Sequence, residues 1–168
     1  DLAISGTTIS GTPVNADVGA HTITVTCTDD SSAAASASDD YVLTVTNTND
    51  APTVASAISD VSAAEDTAYS LDVSGTCTDV DVGDSLAYTI SGAPGDLAIS
   101  GTTISGTPVN ADVGAHTITV TCTDDSSAAA SASDDYILTV TNTNDAPTVT
   151  SAISDVSAAE DAAYSLDV

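Results

Sequence analysis

The clearest pattern along the chain is an alternation of apolar and polar residues with a period of two. In residues 21–27, His, Ile, Val and Cys occupy the odd positions, and Thr occupies every even position. The same alternation recurs in residues 41–45, in 86–90 and in 69–73, where it continues through Gly75 to Cys77. A period of two places successive side chains on opposite faces of a strand. The pattern therefore predicts half-buried strands, each with one face in a core.

Turn-forming residues separate these strands. Clusters rich in Gly, Pro, Asp and Ser lie at 79–84, 91–95, 106–108 and 124–127, and they predict turns. The Ala-rich run 128–132 is short and lies between strands, so we expect a loop or a strand edge there rather than a helix. About seven short strands per unit, with no helix, predict an all-β fold built as a β-sandwich.

The unit itself is repeated along the chain. Residues 1–73 recur as residues 96–168, and the two copies differ only at Val42/Ile137, Ala55/Thr150 and Thr67/Ala162. A fixed period of this length indicates one small domain copied head to tail. We expect 1–52 to be the C-terminal part of one repeat, 53–147 a complete repeat and 148–168 the start of a third. The chain is then expected to be a piece of a longer array.

The charge of the chain is one-sided. It contains no Lys and no Arg but 25 acidic residues. Two acidic pairs, Asp39-Asp40 and Asp134-Asp135, are expected to precede a strand and to form a solvated edge that discourages edge-to-edge pairing. Nucleic acid is excluded as a partner because nothing here can neutralise phosphate, and an anionic membrane surface is disfavoured for the same reason. No apolar stretch is long enough to insert in a membrane. The repulsion among the carboxylates must be relieved by salt or by bound cations, so inorganic cations are the expected partner.

Four segments resemble parts of cadherin repeats. Residues 78–88 (TDVDVGDSLAY) resemble the Asp-x-Asp-x-Gly-x-Asn…Tyr segment, with Asp84 at the place of Asn. Residues 47–52 (NTNDAP) resemble the Asp-x-Asn-Asp-Asn-x-Pro linker between repeats, and they recur at 142–147. Cys122-Thr123-Asp124 resembles the Ala-x-Asp of the penultimate strand, and Ala64-Glu65 resembles the acidic turn after the first strand.

The whole repeat is more closely similar to the bacterial cadherin-like (dystroglycan-type) domains of giant surface adhesins. Residues 104–114 (ISGTPVNADVG) are typical of that group. The resemblance implies a tandem Ig/cadherin-like β-sandwich with Ca²⁺ held between consecutive domains. It also implies an extracellular or cell-surface location, bacterial or otherwise microbial.

The resemblance implies two sets of calcium ligands, one at each junction. At the first junction the linker and the flanking domains would supply Asp17, Asn47, Asn49, Asp50, Asp79, Asp81, Asp84 and Asp124. At the next junction the implied ligands are Glu65, Asp112, Asn142, Asn144 and Asp145, with the lower-domain ligands beyond Val168. Asn47 stands where the family has Asp, and the Asp-Arg-Glu segment of vertebrate cadherins is reduced to Asp17 or Asp112. Fewer carboxylates suggest fewer or weaker ions at each junction.

A calcium site is also favoured by the residues alone. Ca²⁺ takes six to eight oxygen ligands, and clustered Asp residues supply them flexibly. Asp79, Asp81 and Asp84 lie so close in sequence that their carboxylates should repel each other unless a cation lies among them. The alternative is a solvated acidic turn without an ion.

Cysteine and histidine positions complete the set of candidate side chains. Cys77 and Cys122 both lie on the inward face of their strands, which favours a disulfide between two sheets; the alternative is two buried free thiols. Cys27, the counterpart of Cys122, would pair with a residue before position 1. His21 and His116 are expected at the edge of the core. No nucleophile–base pair stands out, so catalysis is not expected.

Three functions remain open at this point. The first is a calcium-stiffened stalk or extender in a large extracellular adhesin or matrix protein. The second is a subunit of a multi-stranded extracellular filament, in which copies of the chain contact each other. The third is a module that binds carbohydrate or protein, which usually presents exposed aromatic residues. The five Tyr lie at or near inward positions of the pattern, which favours the first two functions.

Overall fold

A computed structural model describes residues 2–126 and 129–168. The strands are β1 Leu2–Ser5, β2 Thr8–Gly11, β3 Gly19–Thr28, β4 Ser36–Val45, β5 Thr53–Val54, β6 Val61–Ala64, β7 Tyr69–Asp72, β8 Cys77–Thr78, β9 Ala87–Ser91, β10 Leu97–Ser100, β11 Thr103–Gly106, β12 Gly114–Thr123 and β13 Ser131–Thr141. Short 3₁₀ turns lie at Asn15–Asp17 and Asn110–Asp112.

Strands β5 to β13 form a β-sandwich. One sheet has the order β6-β13-β12-β9, in which β6 runs parallel to β13 and the other pairs are antiparallel. The other sheet has the order β10-β11-β7, and a short β5–β8 ladder closes the end next to the linker. The core between the sheets contains Ile104, Ile118, Leu138 and Tyr136, each almost fully buried. The predicted all-β sandwich is therefore confirmed.

The predicted alternation of inward and outward side chains is present in this sandwich. Ile118, Val120 and Cys122 alternate with Thr along β12, and all three are completely buried. On the opposite sheet Gly106 ends β11 with a φ of 154°. A Cβ at Gly106 would overlap the backbone oxygen of Asp96, so this position of the sheet requires glycine.

Within the described residues the sandwich has nine strands, of which β12 and β13 are the longest, with 10 and 11 residues. Two expectations about the strands were wrong in detail. The single strand expected over 69–77 is two strands, because a turn closed by the Thr76 N–H and the Val73 carbonyl separates β7 from β8. Asp134 and its neighbour were expected to precede a strand as a solvated edge. They lie within β13, where Asp134 accepts a hydrogen bond from the Ile58 N–H (2.6 Å).

The predicted disulfide is present. Cys77 on β8 is bonded to Cys122 on β12, so the bond joins the β5–β8 ladder to the four-stranded sheet. Cys27 is a free, exposed thiol. His116 lies half-buried at the start of β12, with Nε2 2.6 Å from the Asp112 carbonyl oxygen, as expected for the edge of the core.

The two ends of the chain repeat parts of the sandwich without completing it. Residues 2–52 form the β1–β2 and β3–β4 hairpins in the same registers as β10–β11 and β12–β13. Residues 148–168 form no strand, although they are nearly identical to the segment that contains β5, β6 and β7. Among the described residues, no helix has the length and apolar character needed to cross a membrane.

Candidate metal centre

An acidic centre lies at the end of the sandwich next to the linker 47–52. It is built from the β8–β9 loop and from the turn that follows β12. The Asp81 N–H donates to Asp79 Oδ1 (3.0 Å), which folds the start of the β8–β9 loop into a tight turn. Gly83 continues it with a φ of 102°, a conformation that side chains disfavour. This local geometry turns the carboxylates of the loop toward one point.

Three carboxylates meet at that point. Asp79, Asp84 and Asp124 each place an oxygen atom within 4.8 Å of the others. Asp81 lies beside them and is 95 % buried, since only 5 % of its surface is exposed. Asp79 Oδ2, Asp81 Oδ1 and Asp84 Oδ2 are buried and have no hydrogen-bond partner. Buried carboxylate oxygens are normally paired, so these atoms are free to bind a partner from outside the protein.

Asp124 is held rigidly in this centre. Its Oδ1 accepts hydrogen bonds from the Ser126 N–H (3.2 Å), the Ser126 hydroxyl (2.7 Å) and the Ala130 N–H (3.1 Å). Its Oδ2 accepts from the Asn49 side-chain amide (3.0 Å). These bonds, that from Asn49 first and those from Ser126 next, hold the pKa of Asp124 below its usual value.

Asp84 has the opposite electrostatics. Loss of hydration raises the pKa of Asp84 above its usual value, and the negative charges of Asp125, Asp81, Asp79 and Asp124 raise it further. The chain has no Lys or Arg that could offset this repulsion. The centre is therefore strongly electronegative and suited to a cation.

The linker is attached to both of its flanking segments through Asp50. The Asp50 N–H donates to Asp81 Oδ2 (2.7 Å) in the sandwich. The side-chain amide of Asn15, in the preceding segment, donates to Asp50 Oδ2 (2.7 Å). Asp50 thus connects the 3₁₀ turn of residues 15–17 to the acidic centre.

The second linker, residues 142–147, repeats the contacts that the first linker makes with the domain before it. The side-chain amide of Asn110 donates to Asp145 Oδ2 (2.6 Å). Glu65 is completely buried, and its Oε1 accepts from the Thr143 N–H (2.7 Å) while its Oε2 has no hydrogen-bond partner. Asp112 Oδ2 accepts from the Val109 N–H (2.9 Å) and so closes its own 3₁₀ turn.

The structure brings together part of the predicted ligand set. Asp79, Asp84 and Asp124 meet at the centre with Asp81 beside them, and the linker residues Asn49 and Asp50 contact it. Other predicted ligands lie away from the centre. Asn47, Asn142 and Asn144 are exposed, and Asp17 and Asp112 each close their own 3₁₀ turn, where Asp17 Oδ2 accepts from the Val14 N–H (3.0 Å).

Three residues at the acidic centre and the linkers were missed in the sequence. Asp125 binds the Ser85 hydroxyl through Oδ2 (2.7 Å) and adds negative charge beside Asp84. Its place next to Asp124 in an acidic turn was the available signal. Asn15 and its counterpart Asn110 were missed because their hydrogen-bond partners in the linkers, Asp50 and Asp145, lie 35 residues further along the chain, and no local pattern indicates such a contact.

Comparison with known proteins identifies the fold family. Residues 51–141 match the model of the family described as "Putative Ig domain". The chain belongs to this family of Ig domains. No curated protein matches the chain.

Solved structures agree with the Ig-domain assignment. The extracellular cadherin domains 1-5 of protocadherin gamma B2 match with a TM-score of 0.63 at 17 % identity, over 86 % of this chain and 31 % of that one. The extracellular domain of protocadherin gamma B4 matches with a TM-score of 0.61 at 20 % identity, over 83 % and 25 %. An endo-fucoidan hydrolase of glycoside hydrolase family 107 also matches over 85 % of this chain and 22 % of that one, but with a TM-score of only 0.44. The chain thus spans less than a third of these proteins, and the similarity shows a cadherin-like Ig fold.

Proposed function

We propose that this chain is a spacer in an extracellular protein, in which Ca²⁺ bound between consecutive Ig domains stiffens the array. The repeat units would be 1–52, 53–147 and 148–168, and the linkers 47–52 and 142–147 would lie at the junctions. The role is structural and not catalytic. The observation that carries the proposal is the group of buried carboxylate oxygens without partners beside the linker.

The donor set suits Ca²⁺ in its chemistry. Ca²⁺ prefers carboxylate and carbonyl oxygens and tolerates irregular geometry. The partnerless oxygens of Asp79, Asp81 and Asp84 are hard anionic donors, and a carboxylate oxygen of Asp124 lies in the same cluster as those of Asp79 and Asp84. Loss of hydration and then charge repulsion raise the pKa of Asp84, and a bound divalent cation would offset both by stabilising its charged form.

The linker contacts explain how an ion at this place would stiffen the chain. Asp50 already connects Asn15 on one side with Asp81 on the other. Without a cation, the repelling carboxylates oppose this connection. A cation among them would favour the connected arrangement and reduce the pivoting of neighbouring domains. Extracellular Ca²⁺ modules bind with dissociation constants of about 10⁻⁴–10⁻³ M, so about 10⁻³ M Ca²⁺ would be required.

The second junction supports the same mechanism from the other side. The buried Glu65 Oε2 has no partner, and Glu65 is tied to Thr143 in the second linker. Asn110 and Asp145 repeat the pair formed by Asn15 and Asp50. We infer that, at each linker, the domain that precedes the linker supplies part of the calcium ligands in the same way.

An extracellular location, microbial or not, fits the chemistry of the chain. A disulfide between two strands of one domain persists in an oxidising environment. Ca²⁺ at the required concentration is likewise found outside cells. The proposed partners are calcium ions, neighbouring repeats of the same chain and further copies of the chain.

The test is thermal unfolding and small-angle X-ray scattering of the full chain, with EDTA and with about 10⁻³ M Ca²⁺. We expect Ca²⁺ to raise the Tm and to give a stiffer, more extended particle, while Mg²⁺ at the same concentration has a smaller effect. Asp84→Asn should weaken Ca²⁺ binding by about tenfold or more. Asp135→Asn removes the same charge from an exposed position in β13 and should leave binding unchanged. If Ca²⁺ changed neither the Tm nor the scattering profile, the proposal would be refuted.

A further inference from the structure

The disulfide lies directly beside the acidic centre. Cys77 and Cys122 are each the penultimate residue of their strands, β8 and β12, and Asp79 and Asp124 each follow directly after those strands. Two residues of extended strand span about 7 Å, so both carboxylates are attached a short distance from the bonded sulfur atoms. The same two carboxylates place oxygen atoms within 4.8 Å of each other. The disulfide therefore joins the two chain segments that supply the candidate calcium ligands.

Backbone pairing does not hold these two segments together. Among the described strands, β8 pairs only with β5, in a two-stranded ladder that is separate from the four-stranded sheet containing β12. The ladders of β12 are formed with β9 and β13. The disulfide is thus the covalent connection between β8, which leads into Asp79, Asp81 and Asp84, and β12, which leads into Asp124.

Hydrogen bonds also link the two segments, but their donors lie at the surface. The Ser85 hydroxyl donates to Asp125 Oδ2 (2.7 Å), and both residues are exposed. A second link passes through the exposed linker residues 49–50, which donate to Asp124 (3.0 Å) and Asp81 (2.7 Å). Solvent-exposed hydrogen bonds mark the parts of a fold that open most easily. Without the disulfide, the spacing of the ligand-bearing segments would depend on these bonds and on the packing of a two-residue strand.

We propose that the Cys77–Cys122 disulfide is a positioning element of the calcium centre and makes calcium binding sensitive to thiol reductants. This role rests on the proposed function, because it concerns the same centre. With the bond intact, Asp79 and Asp124 stay within reach of one ion. After reduction β8 is free to move away from β12, and the mutual repulsion of the carboxylates favours that movement. The reduced chain therefore binds Ca²⁺ more weakly even while the sandwich remains folded.

The coupling acts in both directions. If the oxidised chain binds Ca²⁺ more tightly than the reduced chain by some factor, Ca²⁺ favours the disulfide over the two thiols by the same factor. In reduction by a small dithiol, the S–S bond breaks, both cysteines become thiols, and the dithiol closes into its own disulfide after giving up two electrons and two protons. Cys77 is 8 % exposed and Cys122 is completely buried, so a reductant reaches the bond when this end of the sandwich opens. An ion held between the two segments opposes that opening.

General electrostatics predicts the opposite effect on the rate of reduction. The attacking thiolate is an anion, and the chain has a net charge of −25. Cations that merely screen this charge let the thiolate approach and should speed reduction. An ion bound among Asp79, Asp84 and Asp124 should slow reduction. The sign of the calcium effect therefore separates a bound ion from screening.

The first measurement is the Ca²⁺ affinity of the oxidised and the reduced chain by isothermal titration calorimetry. Both samples carry Cys27→Ala, which removes the exposed thiol and prevents its exchange with the disulfide. Circular dichroism checks that the reduced sandwich is folded. We expect reduction to weaken binding by about 10–100-fold, as is typical when groups that orient metal ligands are removed. A disulfide that only stabilised the fold would leave the affinity of the folded, reduced chain unchanged, and that result would overturn the proposal.

A second measurement does not require the reduced chain to stay folded. Reduction of the oxidised chain by dithiothreitol is followed by thiol alkylation and mass spectrometry, in EDTA, in saturating Ca²⁺ and in NaCl at matched ionic strength. We expect Ca²⁺ to slow reduction and to shift the equilibrium toward the disulfide by about tenfold, which is about 30 mV for this two-electron couple. NaCl should not slow reduction. Asp84→Asn should lose the protection by Ca²⁺, and Asp135→Asn, at an exposed position of β13, should keep it.

These results distinguish the positioning role from the calcium site itself. If the oxidised chain binds no Ca²⁺ in the calorimeter, the proposed function and the positioning role both fail. If the oxidised chain binds Ca²⁺ but Ca²⁺ does not slow reduction, the calcium site stands and the positioning role of Cys77 and Cys122 is wrong. A rate that Ca²⁺ and NaCl raise alike would also overturn the positioning role, because screening would then account for the calcium effect.

Discussion

At the residue scale, the structure concentrates unpaired carboxylate oxygens at the two linkers. Among the described residues, the buried side-chain oxygens without a partner belong to Glu65, Asp79, Asp81 and Asp84. Folding normally pairs such atoms because burying an unpaired anion is costly. The chain tolerates the cost at four places, and each is near a linker residue. This distribution favours an external cation over a merely solvated acidic turn.

The pKa shifts at the centre predict how stability without calcium depends on pH. The pKa of Asp84 is raised above its unfolded value of 3.8, so the Asp84 carboxylate takes up a proton more readily in the folded state than in the unfolded state. Lowering the pH from about 7 through the raised pKa should therefore stabilise the calcium-free protein. The pKa of Asp124 is lowered, so below about 3.8 its contribution is lost and stability should fall again.

Thermal melts in EDTA across this pH range measure the effect. We expect the Tm to rise on mild acidification, to pass through a maximum and then to decline. Asp84→Asn should make the rise smaller, because the neutral amide no longer titrates, whereas Asp135→Asn should leave the rise at nearly its full size. A Tm that falls steadily from pH 7 downward in the unchanged chain would contradict the raised pKa of Asp84.

At the element scale, the disulfide ties the small β5–β8 ladder to the main sheet. Cys77 and Cys122 are separated by 45 residues, and closing a loop of that size stabilises by about 4 kcal/mol in the chain-entropy model. We expect the Cys77→Ala, Cys122→Ala double variant to lose about that much of its free energy of unfolding. Denaturant unfolding followed by circular dichroism is the measurement. Cys27→Ala is the control, since the exposed Cys27 has no such bond and its loss should leave the sandwich as stable as before.

The strands and the site differ in how far the sequence could predict them. Alternation along 21–27 predicted one buried face because a strand repeats every two residues, and in the copy of this segment at 116–122 Ile118 and Val120 are indeed buried. The break between β7 and β8 was missed, because the alternation of apolar and polar residues continues through Gly75 although the chain turns there. Asp134 was misjudged because its bond to the Ile58 N–H joins residues 76 apart, which no local pattern reveals.

The acidic centre, too, was predictable only where its residues are close in sequence or match a known motif. Asp79, Asp81 and Asp84 were predictable because they lie in one short loop, and Asp124 followed from the cadherin resemblance. The Asn15–Asp50 bond depends on how two segments meet across the linker, so it could be seen only in the folded chain. Sequence thus indicated the chemistry of the site, and the fold supplied its connection to the preceding segment.

At the scale of the whole molecule, the governing property is a net charge of −25 with no cationic side chain. Self-repulsion of this kind destabilises a compact state, and added ions screen it. The Debye length shortens from about 30 Å at 0.01 M salt to about 3 Å at 1 M. NaCl should therefore raise the Tm of the calcium-free chain steadily over this range.

This salt effect must differ from that of Ca²⁺, because screening acts on the whole surface whereas a bound ion acts at one centre. We expect NaCl to stabilise the Asp84→Asn variant almost as much as the unchanged chain, and Ca²⁺ to stabilise it much less. Melts in NaCl and in Ca²⁺ at matched ionic strength make the comparison, with sucrose as an uncharged control for solvent exclusion. If NaCl left the Tm of the calcium-free chain unchanged, general repulsion would not be what limits its stability, and the effect of Ca²⁺ would need a purely local explanation.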